Sequence, residues 1–296
     1  MKILILTQKV DKNDPVLGFF HHWLEEFAKN FEKITVICLE KGNYNLPGIK
    51  VLSLGRETRS HLVEKLWRFY KYIWAERENY NVVFVHMNQE YVLLGWKFWM
   101  LMGKKVFLWR NHAHGGFLTR LAVSLSHKVF YTSPSSFTAR FKKAVMMPVG
   151  IDTEFFKPDP SVQRIPNSVL FLGRISPVKK VLEFIDWVKK KGYEATITGP
   201  ILPEDKEYGE RVLQALTPQI KFLGPVTQEE AKRLYQTHEI YVNKTPAGSF
   251  DKTIFEAAAC GMKLVVDNPA AQNINVEEHS LKKLMDRIKN EIDVNS

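Results

Sequence analysis

The stretch from Val169 to Lys180, VLFLGRISPVKK, constrains this chain most, because an apolar strand runs straight into a glycine flanked by fixed cations. Val169 to Leu172 are β-branched or bulky apolar residues, Gly173 allows a sharp exit, and Pro177 stands where a following helix begins. Arg174 and Lys179 then lie near a helix N-terminus, whose unpaired amides already favour an anion. That is the chemistry of a phosphate site. A strand, a turn and a solvated basic helix start would satisfy the same spacing without a ligand.

A second stretch repeats the design. After the apolar run Glu239 to Asn243, residues Thr245 to Gly261 read TPAGSFDKTIFEAAACG. Gly248 and Ser249 supply close backbone approach, Asp251 reads as an N-cap, and the Ala-rich run favours helix until Gly261 stops it. Lys252 and Glu256 are four apart and share one helix face. A carboxylate there can accept two hydroxyl hydrogen bonds, as a ribose diol requires, while the amides of Lys252 and Thr253 point at phosphate. The alternative is a surface ion pair contributing about 0.3 to 0.5 kcal/mol.

Read coarsely, strands and helices alternate twice over, which predicts an α/β protein of two doubly wound, Rossmann-like sheets. Strands are expected at 2–7, 34–39, 49–53, 82–86, 105–110 and 128–131, then at 169–172, 195–198, 220–223, 239–243 and 263–267. Thr227 and Glu230 form a capping box, and Glu277 to Ile292 reads as a last amphipathic helix. With 296 residues the chain exceeds what one core usually serves. The expected domains are 1–148 and 149–296, with a hinge near Met147 to Pro160 and a last helix that either stays with the second domain or packs back toward the first.

The two phosphate-type segments, in this order and about seventy residues apart, resemble the C-terminal domain of the retaining family 4 glycosyltransferases, the glycosyl transferases group 1, with GT-B architecture. Gly173, Arg174 and Lys179 match the family's G-R-x-x-x-x-K-G, with Lys180 in place of the last glycine. Phe250, Glu256, Ala257, Ala259, Cys260 and Gly261 match its E-G-F-G-x-x-x-x-E-A-x-A-C-G. Gly150 to Pro158, GIDTEFFKP, looks like its interdomain linker. One departure stands out: the first glutamate of the family pair falls on Gly248. Asp251 reads either as a partial substitute for that side chain or as no more than a helix cap.

The resemblance implies a first domain that binds the acceptor and a second that binds a UDP-, GDP- or similar nucleoside-diphosphate sugar. It implies transfer to a glycan or lipid-linked acceptor with retention of configuration, without a metal or other cofactor. Arg174, Lys179 and His112 would be catalytic. Gly18, Gly173, Val226, Ser249, Phe250, Asp251, Lys252, Thr253 and Glu256 would bind the donor. His112 is preferred to His114 in Trp109 to Gly116, WRNHAHGG, for its position after Trp109; Gly18, in DPVLGFF, corresponds to the family's glycine-rich loop, although helix capping explains it equally well. The base would be recognised largely through backbone atoms around Pro225 and Val226.

Charge is divided unevenly. Residues 1–148 carry 22 Lys and Arg against 11 Asp and Glu, whereas the remainder carries 20 against 21. The basic half therefore faces the acceptor or the surface presenting it, an anionic membrane being one candidate. Leu62, Val63, Leu66, Trp67, Phe69, Tyr70, Ile73 and Trp74 form one broad apolar stripe at helical spacing, with Glu64, Lys65, Arg68 and Lys71 opposite. An interfacial helix has this pattern. A helix packed on a sheet has it too, and that reading is preferred here.

Two cysteines, Cys38 and Cys260, in apolar contexts suit a reducing cytoplasm. The first residues read as a strand, too short an apolar run for a signal peptide, and Tyr91 to Gly103 is too brief for a membrane span. Three rival readings are a noncatalytic sugar-nucleotide binder, a GT-B epimerase and a basic nucleic-acid-binding protein. The scattering of cations among periodic helices argues against the last.

Overall fold

The computed structural model describes residues 1–246 and 250–294. It divides into two compact units, residues 1–150 with 281–296, and residues 151–280. The division follows Gly150, and the C-terminal helix belongs to the first unit rather than the second.

The first unit is a seven-stranded parallel sheet. Its strands are β1 (Lys2–Val10), β2 (Lys33–Lys41), β3 (Ile49–Ser53), β4 (Val82–His86), β5 (Lys105–Trp109), β6 (Lys128–Tyr131) and β7 (Ala144–Met146), ordered β3-β2-β1-β4-β5-β6-β7. The central strands are continuous apolar runs because both faces are covered. Helices α2 (Leu62–Ala75), α3 (Glu90–Leu101) and α4 (Phe117–Leu125) share one buried cluster, which includes Phe69, Tyr91, Trp99 and Val123. On the other cluster lie α1 (Phe19–Asn30) and α9 (Leu281–Asp293), through Trp23, Phe27, Leu284 and Ile288.

The second unit is a five-stranded parallel sheet of β8 (Ile165–Leu172), β9 (Glu194–Thr198), β10 (Ile220–Phe222), β11 (His238–Asn243) and β12 (Lys263–Val266), ordered β10-β9-β8-β11-β12. Helices α5 (Val181–Lys191), α6 (Lys206–Gln214), α7 (Gln228–Thr237) and α8 (Lys252–Ala259) connect them. The α7 capping box is present: Thr227 Oγ1 accepts from the Glu230 amide at 3.3 Å, and the Glu230 carboxylate accepts from the Thr227 amide at 2.8 Å.

Three expectations change. The short edge strand β7 carries no periodic signal and was not expected. The predicted last helix is a 3₁₀ turn, Glu277–His279, followed by α9. Of the apolar stripe on α2, only Phe69 and Ile73 are buried, while Leu62, Val63, Trp67 and Trp74 are exposed. The stripe as a whole is therefore not core. No helix among the described residues is long and apolar enough to cross a membrane.

Candidate functional site

In an open parallel sheet, loops leaving adjacent strands diverge where the strand order reverses, and a crevice opens there beyond the carboxyl ends. In the second unit that point lies between β8 and β11. Both phosphate-type segments emerge at it.

Leaving β8, the chain passes Gly173 and Arg174 into a 3₁₀ turn, Pro177–Lys179. The close approach here depends on a glycine outside both motifs. A Cβ on Gly199, at φ +142°, would lie 1.9 Å from the Gly173 carbonyl oxygen, whereas one on Gly173 would meet only the Phe171 ring at 3.8 Å. Lys180 adopts the left-handed conformation, φ 51° and ψ 47°. That explains why the resembling family carries glycine at this position, since a side chain there costs about 1 to 2 kcal/mol.

The two cations of this loop reach opposite neighbours of β8. Arg174, 43% exposed, turns toward the segment after β9, with Nε 3.6 Å from Asp205 and Nη1 3.9 Å from Glu204. Lys179 turns toward the segment after β11 and donates to Asp251. An exposed ion pair of this kind contributes at most about 1 kcal/mol, so Arg174 exchanges partners at little cost.

Asp251 stands at the start of a helix, as expected. It occupies the N-cap position of α8, but its side chain makes no capping hydrogen bond. Instead the buried carboxylate accepts from Lys179, from Asn243 Nδ2 at 2.9 Å and from Thr245 Oγ1 at 2.8 Å. Burial works to raise its pKa, yet the Lys179 ammonium and these donors hold it below the usual carboxylate value. The amides of Lys252 and Thr253 begin the eight-residue helix α8.

Glu256 is buried one turn further on and accepts from the Tyr235 hydroxyl at 3.0 Å. Burial pushes the Lys252 ammonium down to about 7, against the opposing pull of Glu256 and Asp152. Thr253 meets the Tyr241 hydroxyl at 2.7 Å, and that hydroxyl also lies 3.1 Å from the Leu172 carbonyl oxygen, tying the end of β8 to the start of α8. Phe250 packs edge-on against Phe255. Val226 stands just before the α7 capping box, half-buried. Ser249 and Gly248 lie outside the described residues. Asn243, Thr245, Tyr235 and Tyr241 were missed from sequence; polar groups closing the apolar end of β11 signal Asn243 and Thr245, whereas Tyr235 on α7 and Tyr241 within β11 carry no such signal.

In the first unit the strand order reverses between β1 and β4. There the buried His86 places Nδ1 3.2 Å from Thr7 Oγ1 and stacks on Phe20, with ring centres 4.0 Å apart. His112 lies in the exposed loop after β5, its Nδ1 3.0 Å from the His114 amide nitrogen. Beside it Arg110 donates to Gln89 at 2.8 Å and to the His114 carbonyl at 3.2 Å. Neither His86 nor Arg110 was singled out from sequence. Gly18 has ordinary helical angles, φ −55° and ψ −31°, so its turn does not need a glycine. The carboxylate of Asp14 organises that turn by accepting from the Val16 and Leu17 amides. Among the described residues no group of three or more His, Cys, Asp or Glu is placed to hold a metal ion.

Residues 166–286 match the family model of the glycosyl transferases group 1. No curated protein sequence matches the chain. Among solved structures, Anabaena HepE, determined with UDP and glucose, is similar at TM-score 0.71 and 16% identity, over 99% of this chain and 90% of that one. The sucrose-phosphate synthase of Thermosynechococcus elongatus is similar at TM-score 0.71 and 13% identity, over 97% and 90%. The UDP-GlcNAc 2-epimerase of Methanocaldococcus jannaschii is similar at TM-score 0.57 and 13% identity, over 99% and 100%. The two parallel sheets with alternating helices form a GT-B fold.

Proposed function

We propose that this protein is a glycosyltransferase that moves a sugar from a nucleoside-diphosphate sugar to a glycan or lipid-linked acceptor, with retention of configuration. The observation that carries this reading is the meeting of Lys179 with Asp251 at the β8/β11 switch point, which sets a cation beside the first amides of α8. The second unit is the donor-binding domain and the first unit binds the acceptor.

Arg174 and Lys179 neutralise the diphosphate, and Glu256 receives the ribose hydroxyls. As the bond from the anomeric carbon to the phosphate oxygen breaks, negative charge grows on the leaving phosphate and positive charge on the sugar ring. The two cations and the amides of Lys252 and Thr253 stabilise the former. The acceptor oxygen bonds to the anomeric carbon on the departing face, and its proton passes to the leaving phosphate. His112 is the residue assigned to the donor sugar. Cys38 and Cys260 are both free thiols, which fits a reducing cytoplasm.

Transfer from a panel of UDP- and GDP-sugars, with the anomeric configuration of the product read by NMR, tests the proposal. An inverted product would end the retaining mechanism. One observation favours a second reading, a noncatalytic sugar-nucleotide binder: both cations are already countered by carboxylates. Turnover of any donor would exclude it.

A further inference from the structure

We propose that the outer face of α2, with the exposed start of α4 on the same side of the sheet, docks on the surface of an anionic lipid bilayer. A helix that merely covers a sheet turns polar residues outward. On α2 the outward line is Val63, Trp67, Lys71 and Trp74, and its apolar members are 78%, 59% and 54% exposed. The first turn of α4 presents Phe117, 77% exposed, with Leu118 and Arg120 beside it. The buried sides of α2, α3 and α4 join one cluster on one face of the sheet, so their outer sides form a single layer.

Cations are interleaved with these apolar groups. Lys71 Nζ lies 4.6 Å from the Trp67 ring centre and the Arg77 guanidinium 4.5 Å from that of Trp74. The nearby Glu64 carboxylate is taken by Arg68. Indole rings with ammonium and guanidinium groups over their faces suit the boundary between acyl chains and anionic headgroups, where each cation adds attraction. The same halves of two copies of this chain would bring like charge against like charge, since residues 1–148 carry 22 basic against 11 acidic groups. A bilayer satisfies both the apolar and the basic groups at once. This inference does not depend on sugar transfer.

Co-sedimentation of the full chain tests it, using phosphatidylcholine vesicles and vesicles in which about a third of the lipid is phosphatidylglycerol. The protein should pellet with the anionic vesicles and be released as salt rises. The double variant V63E/W67E should partition at least about tenfold less while unfolding at an unchanged temperature. A second variant, K65E/K71E, should lose binding to the anionic vesicles. Protein that stays in the supernatant with both vesicle types would overturn the proposal, as would full binding by V63E/W67E. So would a dimer, read by light scattering, that V63E/W67E dissociates, because that result assigns the face to a second copy of the chain.

Discussion

The two sheets reverse strand order in the same way, between β1 and β4 and between β8 and β11, yet the groups that meet at the two reversals differ in kind. At the first reversal a histidine faces a threonine hydroxyl and lies on an aromatic ring. At the second an ammonium faces a carboxylate inside a set of amide and hydroxyl donors. A ring nitrogen and a hydroxyl can satisfy one another without a ligand. A lone cation cannot stay buried in this way, because an unpaired buried charge costs several kcal/mol. On the function proposed above, Asp251 would fill the electrostatic place of the anion when no donor is bound, and an arriving diphosphate would compete with it for Lys179.

The comparison can be broken in order of effect. Replacing either cation of the second unit, R174A or K179A, should lower transfer about a hundredfold, roughly 3 kcal/mol of barrier, while circular dichroism stays unchanged. H112A in the first unit should leave nucleoside-diphosphate affinity intact by calorimetry. Equal losses of affinity in both units would erase the distinction. Truncating the fully buried Leu284 to alanine should destabilise the first unit by about 3 kcal/mol in denaturant titration, since α9 belongs to its core.

D251A, which leaves Lys179 without its carboxylate, should cost about 2 kcal/mol, the partial exposure of Lys179 discounting the fully buried figure. D251N should bind inorganic pyrophosphate more tightly than the parent protein. The contribution of Asp251 to stability is fully present above its unfolded value of roughly 3.9 and is lost as pH falls through its lower folded value. D251N should therefore show a flatter acid limb of stability against pH. The smallest effect is a gain: K180G relieves a left-handed side chain and should stabilise by about 0.5 to 1 kcal/mol in a thermal scan.

Much of this was legible in the sequence, and for identifiable reasons. Strands β1, β4 and β8 show through the apolar runs ILIL, VVFV and VLFL, and β11 through the shorter IYV, because neighbours cover both faces. Arg174 and Lys179 stand out because fixed cations after a strand and a glycine are costly anywhere but at a turn. What they touch was not legible: Asp251 lies 72 residues from Lys179, and only the folded sheet makes them neighbours. His86 went unread because a histidine ending an apolar strand has no partner in the local pattern. On α2 the periodicity showed an apolar stripe, but periodicity does not say what covers it. Gly199, the glycine that the packing of the β8 and β9 exits requires, belongs to neither motif.

The assignment of α9 to the first unit has a consequence for biosynthesis. The polypeptide builds most of one Rossmann-like layer, inserts a complete second one, and only then supplies the helix that seals the hydrophobic underside of the first. On the ribosome, Phe27, Trp23 and their neighbours wait uncovered until Leu284 and Ile288 emerge. The inserted unit has no such debt and can reach its native state earlier, so N-to-C order of synthesis need not be the order of folding.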